Sequence, residues 1–308
     1  MAGALTLDSD LAERLVLHEA RAQQVPTRVL RDLGDGWLLH DPNDAEPFWN
    51  RIIAPRWPVG STAFDRRLDE VITLFTTLGR LPHVRPLPLG GSPDDLAARL
   101  LAAGFQNVGA DRRMVLARPN TDRVSALIAA TEVRVAAALV GATLRVTRQS
   151  LDPGDGRGDP RSGGPRLVAA RRTWPERRRW AVDVAMVLGE AFGVVDARRP
   201  ALERDVLACI SRAGCSMLLL EVDGEPAAVA RRATTRDGSY LSSIGTRPRY
   251  RGLGLGAMVT LLAMRDALET GSELVHLAVD VDNDPALRLY ERLGFVLVGG
   301  PAPDLLLH

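Results

Sequence analysis

Lysine is absent from this 308-residue chain: all of its 39 basic residues are arginine, set against 38 acidic residues for a formal charge of +1. A balance so near zero provides no long-range field for gripping a polyanion, so nucleic acid is not expected as a partner. The exclusive use of arginine reads as base composition, not as a binding signal. Cysteine is nearly absent as well, with Cys209 and Cys215 alone. That is too few for a disulfide framework, and neither has the His or Cys neighbours of a zinc site. Two reduced, buried thiols and no metal are therefore expected. Long apolar runs are also missing. The longest, Val124–Leu144, is broken by Glu132 and Arg134 and makes a poor membrane span. Residues Met1–Leu17 carry Asp8, Asp10 and Glu13 and lack the basic start and apolar core of an export signal. A soluble, cytoplasmic protein without a membrane partner is the expectation.

What is present is enough apolar material, 46% of residues, for two modest cores. The most irregular stretch, Leu151–Pro165, is rich in Gly, Pro, Asp and Arg and reads as a linker. Upstream, Val29–Leu39 reads as a hairpin turning at Gly34-Asp35-Gly36. A strand near Phe48–Ala54 and an amphipathic helix near Thr62–Leu78 follow. Ser92 is placed to cap a helix that ends at Gly104-Phe105. Asp122–Arg148 fits helix or strand equally.

Downstream, Arg166–Arg171 reads as a strand, and Trp180–Phe192 and Ala201–Arg212 as helices. Strands Ser216–Val222, Ala227–Thr235 and Ser239–Gly245 are joined by Asp223-Gly224 and Asp237-Gly238, the marks of antiparallel hairpins. A helix Leu255–Leu268, a strand Glu273–Val279, a helix Asp284–Leu293 and a final strand pair complete the order. This is a mixed α/β sheet with helices on both faces.

Between the third hairpin strand and the next helix lies Ile244-Gly245-Thr246-Arg247-Pro248-Arg249-Tyr250-Arg251-Gly252-Leu253-Gly254-Leu255-Gly256. Its glycines remove side chains where a helix begins, so free N–H groups and the positive helix end can close around a pyrophosphate. Arg249 and Arg251 add charge there. The spacing Gly252, Gly254, Ala257 also satisfies a dinucleotide fingerprint, but that fold needs a buried parallel strand running straight into the first glycine. Here Arg247–Arg251, with Pro248 inside, intervenes. A second element runs Asn283-Asp284-Pro285-Ala286-Leu287-Arg288-Leu289-Tyr290-Glu291-Arg292-Leu293-Gly294-Phe295, a helix capped by Asp284 and ended by Gly294.

These two elements, in this order, resemble the signature motifs of the GNAT (GCN5-related) N-acetyltransferases over about the last 140 residues. The resemblance implies an acyl-CoA-dependent N-acyltransferase using acetyl-CoA as co-substrate, with an amine acceptor as the other partner. Backbone groups of Ile244, Gly245 and Thr246 would pair with the pantetheine arm and acyl carbonyl. Arg251, Gly252, Leu253, Gly254, Leu255 and Gly256 would hold the pyrophosphate, and Asn283 would help fix the pantetheine. Tyr290 would be the general acid that protonates the departing thiolate.

The general base is less evident. Where many relatives carry a glutamate, the strand Ser239–Gly245 offers Tyr240, Ser242 and Ser243. Alternation on the next strand puts His276, Ala278 and Asp280 on one face, and Asp280 or His276 is the choice, with Glu190 and Glu221 as further options. Aligning Gly104-Phe105 with Gly294-Phe295 makes the N-terminal half a degenerate copy of the same fold: Leu100 falls opposite Tyr290 and Pro93 opposite Asn283. Its loop, Ala54-Pro55-Arg56-Trp57-Pro58-Val59-Gly60, has one glycine and a bulky Trp. Two-copy mycothiol synthases also keep their active site in the second copy, but the glutamate of their hairpin strand falls here at Tyr240. The expected division is a degenerate GNAT-like domain at 1–118, an irregular segment at 119–165 and a catalytic GNAT domain at 166–308. A two-copy chain can make internally the contacts that single-copy relatives make as dimers, so a monomer is expected. A non-catalytic acyl-CoA-binding sensor is the alternative to an enzyme.

Overall fold

A computed structural model describes residues 9–88, 93–151, 167–169 and 173–308. The expected cap at Ser92 and the linker beyond Leu151 lie outside the described residues. Packing divides the chain into two compact units: the residues through Ala117 together with His276–His308, and Arg118–Val275.

The second unit is built on antiparallel hairpins. Strands β8 (Cys215–Val222), β9 (Glu225–Thr235) and β10 (Gly238–Thr246) pair in turn, as the Asp-Gly turns require. Asp223 and Gly224 both adopt positive φ, the conformation of a two-residue hairpin turn. The ambiguous segment resolves into helix α4 (Thr121–Ala138), capped by Asn120, and strand β6 (Leu144–Ser150), which pairs with β8. Strand β7 (Leu167–Ala169) runs parallel to β6 on its other side. Helices α5 (Trp174–Phe192) and α6 (Arg199–Ile210) pack on β9 and β8, and α7 (Leu255–Glu269) packs on β9, β10 and α4. Thr173 and Glu176 form a reciprocal capping box that starts α5 one turn and a half earlier than its apolar period suggests.

One expectation is overturned in this unit. Cys209, at the end of α6, and Cys215, at the start of β8, form a disulfide instead of two reduced thiols. A tight turn from Ser211 to Gly214 brings their Cα atoms to 5.8 Å, inside the range a disulfide spans. Both are fully buried, as expected.

The first unit holds helix α1 (Ser9–Gln23), the hairpin β1 (Val29–Asp32) and β2 (Trp37–His40), strand β3 (Arg51–Ile53), helix α2 (Ser61–Thr77), strand β4 (His83–Arg85), helix α3 (Leu96–Ala102) and strand β5 (Gln106–Leu116). It also holds β11 (Val275–Asp280) from His276 onward, helix α8 (Asp284–Leu293) and β12 (Phe295–Leu306). The order helix, three strands, helix, strand, helix, strand thus occurs in both halves of the chain. Its core gathers Trp57, Phe64 and Phe75 with Val84, Leu100 and Leu305.

The expected final strand pair is instead the single strand β12, because Val298–Ala302 makes a bulge against β5 and no hairpin turn. Strand β5 is exchanged between the halves. Its second part, Arg112–Leu116, lies between β11 and the first part of β12. The second part of β12 lies between the first part of β5 and β4. Each half's sheet therefore includes a strand from the other.

Candidate active site

In the second unit, β10 reaches its end through a bulge. Ser242 pairs with Arg231 and Gly245 with Val229, so Ser243 and Ile244 together oppose the single residue Ala230. Ser243 takes φ +48°, the left-handed conformation that lets the strand bend there. Gly245 has to be glycine, since a Cβ would lie 2.9 Å from the Ala191 Cβ at the end of α5. The chain then makes a short 3-10 turn, Pro248–Tyr250, and enters α7 through Gly252 (φ +80°) and Gly254 (φ +85°).

Gly254 is the cap of α7, whose first internal bond runs from the Met258 N–H to the Gly254 carbonyl. The N–H groups from Gly254 to Ala257 have no partner within the helix. A Cβ on Gly252 would meet nothing within 4 Å, so that side of the turn is open. Two left-handed glycines leading into an open helix start fit a pyrophosphate.

The arginines around the turn are not equivalent. Arg247 makes a bidentate pair with Glu190 at 2.8 Å to each oxygen, and Arg249 pairs with Glu225. The Arg251 guanidinium instead donates to the carbonyls of Ala191 (2.9 Å) and Thr246 (3.3 Å). Among the described residues no carboxylate pairs with it, so its charge is retained. Hydrogen bonding to Arg247 holds the Glu190 carboxyl below its ordinary pKa, which makes it a poor proton acceptor. Glu221 lies 3.7 Å from Arg145.

In the first unit, the face shared by His276, Ala278 and Asp280 separates into unlike environments. His276 is 1% exposed, and its Nε2 lies 2.6 Å from Nδ1 of His18 on α1. Burial, with His18 second, lowers its pKa well below the ordinary histidine value, so the imidazole is neutral. Asp280 is exposed at the strand end, where its carboxylate accepts from the Asp282 N–H.

The cap of α8 is Asn283 and not Asp284: its Oδ1 accepts from the Ala286 N–H at 3.2 Å, because Asn283 keeps non-helical dihedrals while Asp284 is already in the first turn. That cap uses only Oδ1, and among the described residues the Asn283 amide NH2 has no hydrogen-bond partner. Tyr290 is buried, its ring edge-on to Phe295 with centroids 6.1 Å apart. Burial raises its pKa, so the phenol stays protonated and remains a donor.

Sequence reasoning missed a buried ionic cluster in this unit. Glu19 on α1 accepts from Arg51 (3.2 Å), Arg85 (3.1 Å) and Arg113 (2.9 Å), and Arg85 also pairs with Asp111. Burial opposes ionisation of Glu19, yet the three guanidiniums hold its pKa down to about 2. No local pattern announces such a cluster, because its members come from four separate elements.

Residues 182–295 match the acetyltransferase (GNAT) family. That segment is similar to the GNAT acetyltransferases. Curated relatives include the mycothiol acetyltransferase of Nocardiopsis dassonvillei, 39% identical over 84 residues, 24% of this chain and 26% of that protein. Another is the mycothiol acetyltransferase of Thermomonospora curvata, 48% identical over 52 residues, 17% of this chain and 18% of that one. The matches thus span about a quarter or less of these relatives' length. Among solved structures, a GCN5-related N-acetyltransferase from Kribbella flavida aligns with TM-score 0.61 at 19% identity, covering 98% of this chain and 96% of that one. A tandem GNAT protein from the clavulanic acid biosynthesis pathway aligns with TM-score 0.52 at 15% identity, again over 98% and 96%. The fold is therefore that of tandem GNAT proteins over nearly the whole chain. No helix among the described residues is long and apolar enough to cross a membrane.

Proposed function

We propose that this protein transfers an acetyl group from acetyl-CoA to a primary amine of a small molecule or peptide, by direct attack within a ternary complex. The observation that carries this reading is the glycine-flanked start of α7, inside the segment that matches the GNAT family. Arg251–Gly256 would hold the pyrophosphate through the open N–H groups, with the Arg251 charge set beside them by its two carbonyl anchors. Backbone of Ile244–Thr246, bent by the bulge, would receive the pantetheine arm and polarise the acyl carbonyl. The Asn283 amide NH2 would serve the pantetheine.

In the reaction the amine nitrogen forms the new bond to the acyl carbon while the carbon–sulfur bond breaks. Tyr290, kept protonated by burial, would supply the proton that the departing thiolate takes up. The amine must first lose a proton. Asp280 suits that task through a water, since it is exposed, whereas His276 is enclosed and bound to His18. A covalent acyl-enzyme is not part of the scheme, because the two cysteines are bonded to each other.

The test is release of free CoA from acetyl-CoA over a panel of small amines, aminoglycosides, peptides and the amine substrate of mycothiol acetyltransferases. Turnover with at least one acceptor, depressed in Tyr290→Phe, is expected. Acetyl-CoA binding with no turnover on any acceptor would replace the enzyme by a non-catalytic acyl-CoA sensor. Failure to bind any CoA ester would remove both readings.

A further inference from the structure

We infer that the N-terminal half works as a positioning scaffold for the proposed acid: its strand β5 clamps the chain on both sides of α8, the helix that carries Tyr290. The inference rests on the acetyl-transfer reading above for its catalytic consequence, while the clamp itself stands on geometry.

Just before α8, the Val281 N–H donates to the Ala110 carbonyl at 3.1 Å, and Asp280 sits opposite Asp111 in the β11–β5 ladder. Just after α8, the Ala117 N–H donates to the Gly294 carbonyl at 3.2 Å, and Phe295 sits opposite Leu116 in the β12–β5 ladder. Both ends of the Val281–Gly294 excursion are thus fastened to one strand of the other half. The Tyr290 ring packs on Phe295, the first residue of β12, so its place follows the register of β5.

That register is itself fixed from within the N-terminal half. Asp111 pairs with Arg85 of β4, and Arg113 donates to Glu19 of α1 at 2.9 Å. A slip of one residue would turn both charged side chains to the opposite face of the sheet and leave Glu19 and Arg85 short of buried counter-charge. The contact of His18 with His276 ties α1 to β11 as a third fastening. Such rigidity has a chemical purpose, since an acid displaced by about 1 Å can cost on the order of 100-fold in rate.

Ala117→Pro tests the clamp in the full chain. Ala117 is exposed, and proline removes the N–H that donates to the Gly294 carbonyl while Ala117→Gly retains it. For the proline variant, faster hydrogen exchange across α8 is expected, with exchange across α7 unchanged. With it should come a kcat lowered about tenfold and a Kd for CoA within about twofold of wild type. The glycine variant should match wild type in kcat and in α8 exchange. Unchanged α8 exchange in Ala117→Pro, or the same losses in Ala117→Gly, would overturn the inference. So would faster exchange with kcat intact. A wild-type protein that transfers no acetyl group would defeat the functional reading, while α8 exchange would still report whether the clamp exists.

Discussion

Two turns at equivalent places in the two halves differ in how they are packed. Thr246–Gly254 leads from β10 into α7, and Ala54–Gly60 leads from β3 into α2. The first has left-handed Gly252 and Gly254 with Leu253 half-buried between them. The second sends Trp57 inward, 2% exposed, against Phe64 at 5.8 Å between centroids and into the cluster of Ile52, Val71 and Phe75. A further pair repeats the contrast: where one half has Tyr290, the other has Leu100, fully buried in that same core. An open glycine turn supplies N–H donors but contributes little packing. The half with an indole in the equivalent place has a packed core around it.

The contrast breaks most visibly if Trp57 is removed. Trp57→Ala should destabilise the protein by about 3–5 kcal/mol, read by denaturant unfolding, because the cavity lies in a packed cluster. It should not open a second cofactor site: calorimetry should give one CoA per chain before and after, and two would refute the view that this half is spent as a transferase. Tyr290→Phe addresses the other member of the pair. It should lower kcat about 100-fold with the Kd for CoA unchanged, the pattern of a lost proton donor. Should kcat and KM instead change together through loss of folded protein, the ring would be a packing residue like Leu100. Gly254→Val is smaller in effect. Its Cβ would come within 3.1 Å of Val135 Cγ2 at a left-handed position, so the turn must shift. Affinity for CoA should fall about tenfold by calorimetry, with the unfolding midpoint little altered.

The same contrast explains what the sequence could and could not disclose. Features governed by neighbours along the chain were legible: the Asp223-Gly224 hairpin, the glycines before α7, and the Gly294 stop with Phe295 behind it. Features governed by distant partners were not. Helix α1 was unread because its inward face carries His18, Glu19 and Gln23, polar residues that are buried only because Arg51, Arg85, Arg113 and His276 meet them. Strand β5 was unread for the same reason, its alternation being masked by Asp111 and Arg113. The strand exchange has no local signature at all, since Val298–Ala302 looks like a hairpin until β5 is there to accept both parts of β12. The disulfide likewise depends on how sharply Ser211–Gly214 turns.

Acidity should separate the two units by the sign of its effect. In the first unit the folded-state pKa of His276 lies below its ordinary 6.5, so the unfolded chain binds the proton more readily. Its contribution to stability is complete above about pH 6.5 and is lost as pH falls below that value. Glu19, held down to about 2 from 4.5, adds a second loss as pH falls from about 4.5 toward 2. In the second unit burial pushes Asp266 up to about 6 despite Arg148 at 3.0 Å and Arg232. Its native state therefore binds the proton more readily, and stability from this group is complete below about pH 3.8 and lost as pH rises through 6. Lowering the pH from 7 to 5 should accordingly speed hydrogen exchange in β5 and β11 while slowing it in β6 and α7, once intrinsic exchange rates are removed. The step below pH 6.5 should flatten in His276→Gln and the loss below pH 4.5 should survive. Parallel acceleration in both units would mean that the chain opens as a single cooperative body, and that the charges buried around Glu19 stabilise both halves alike.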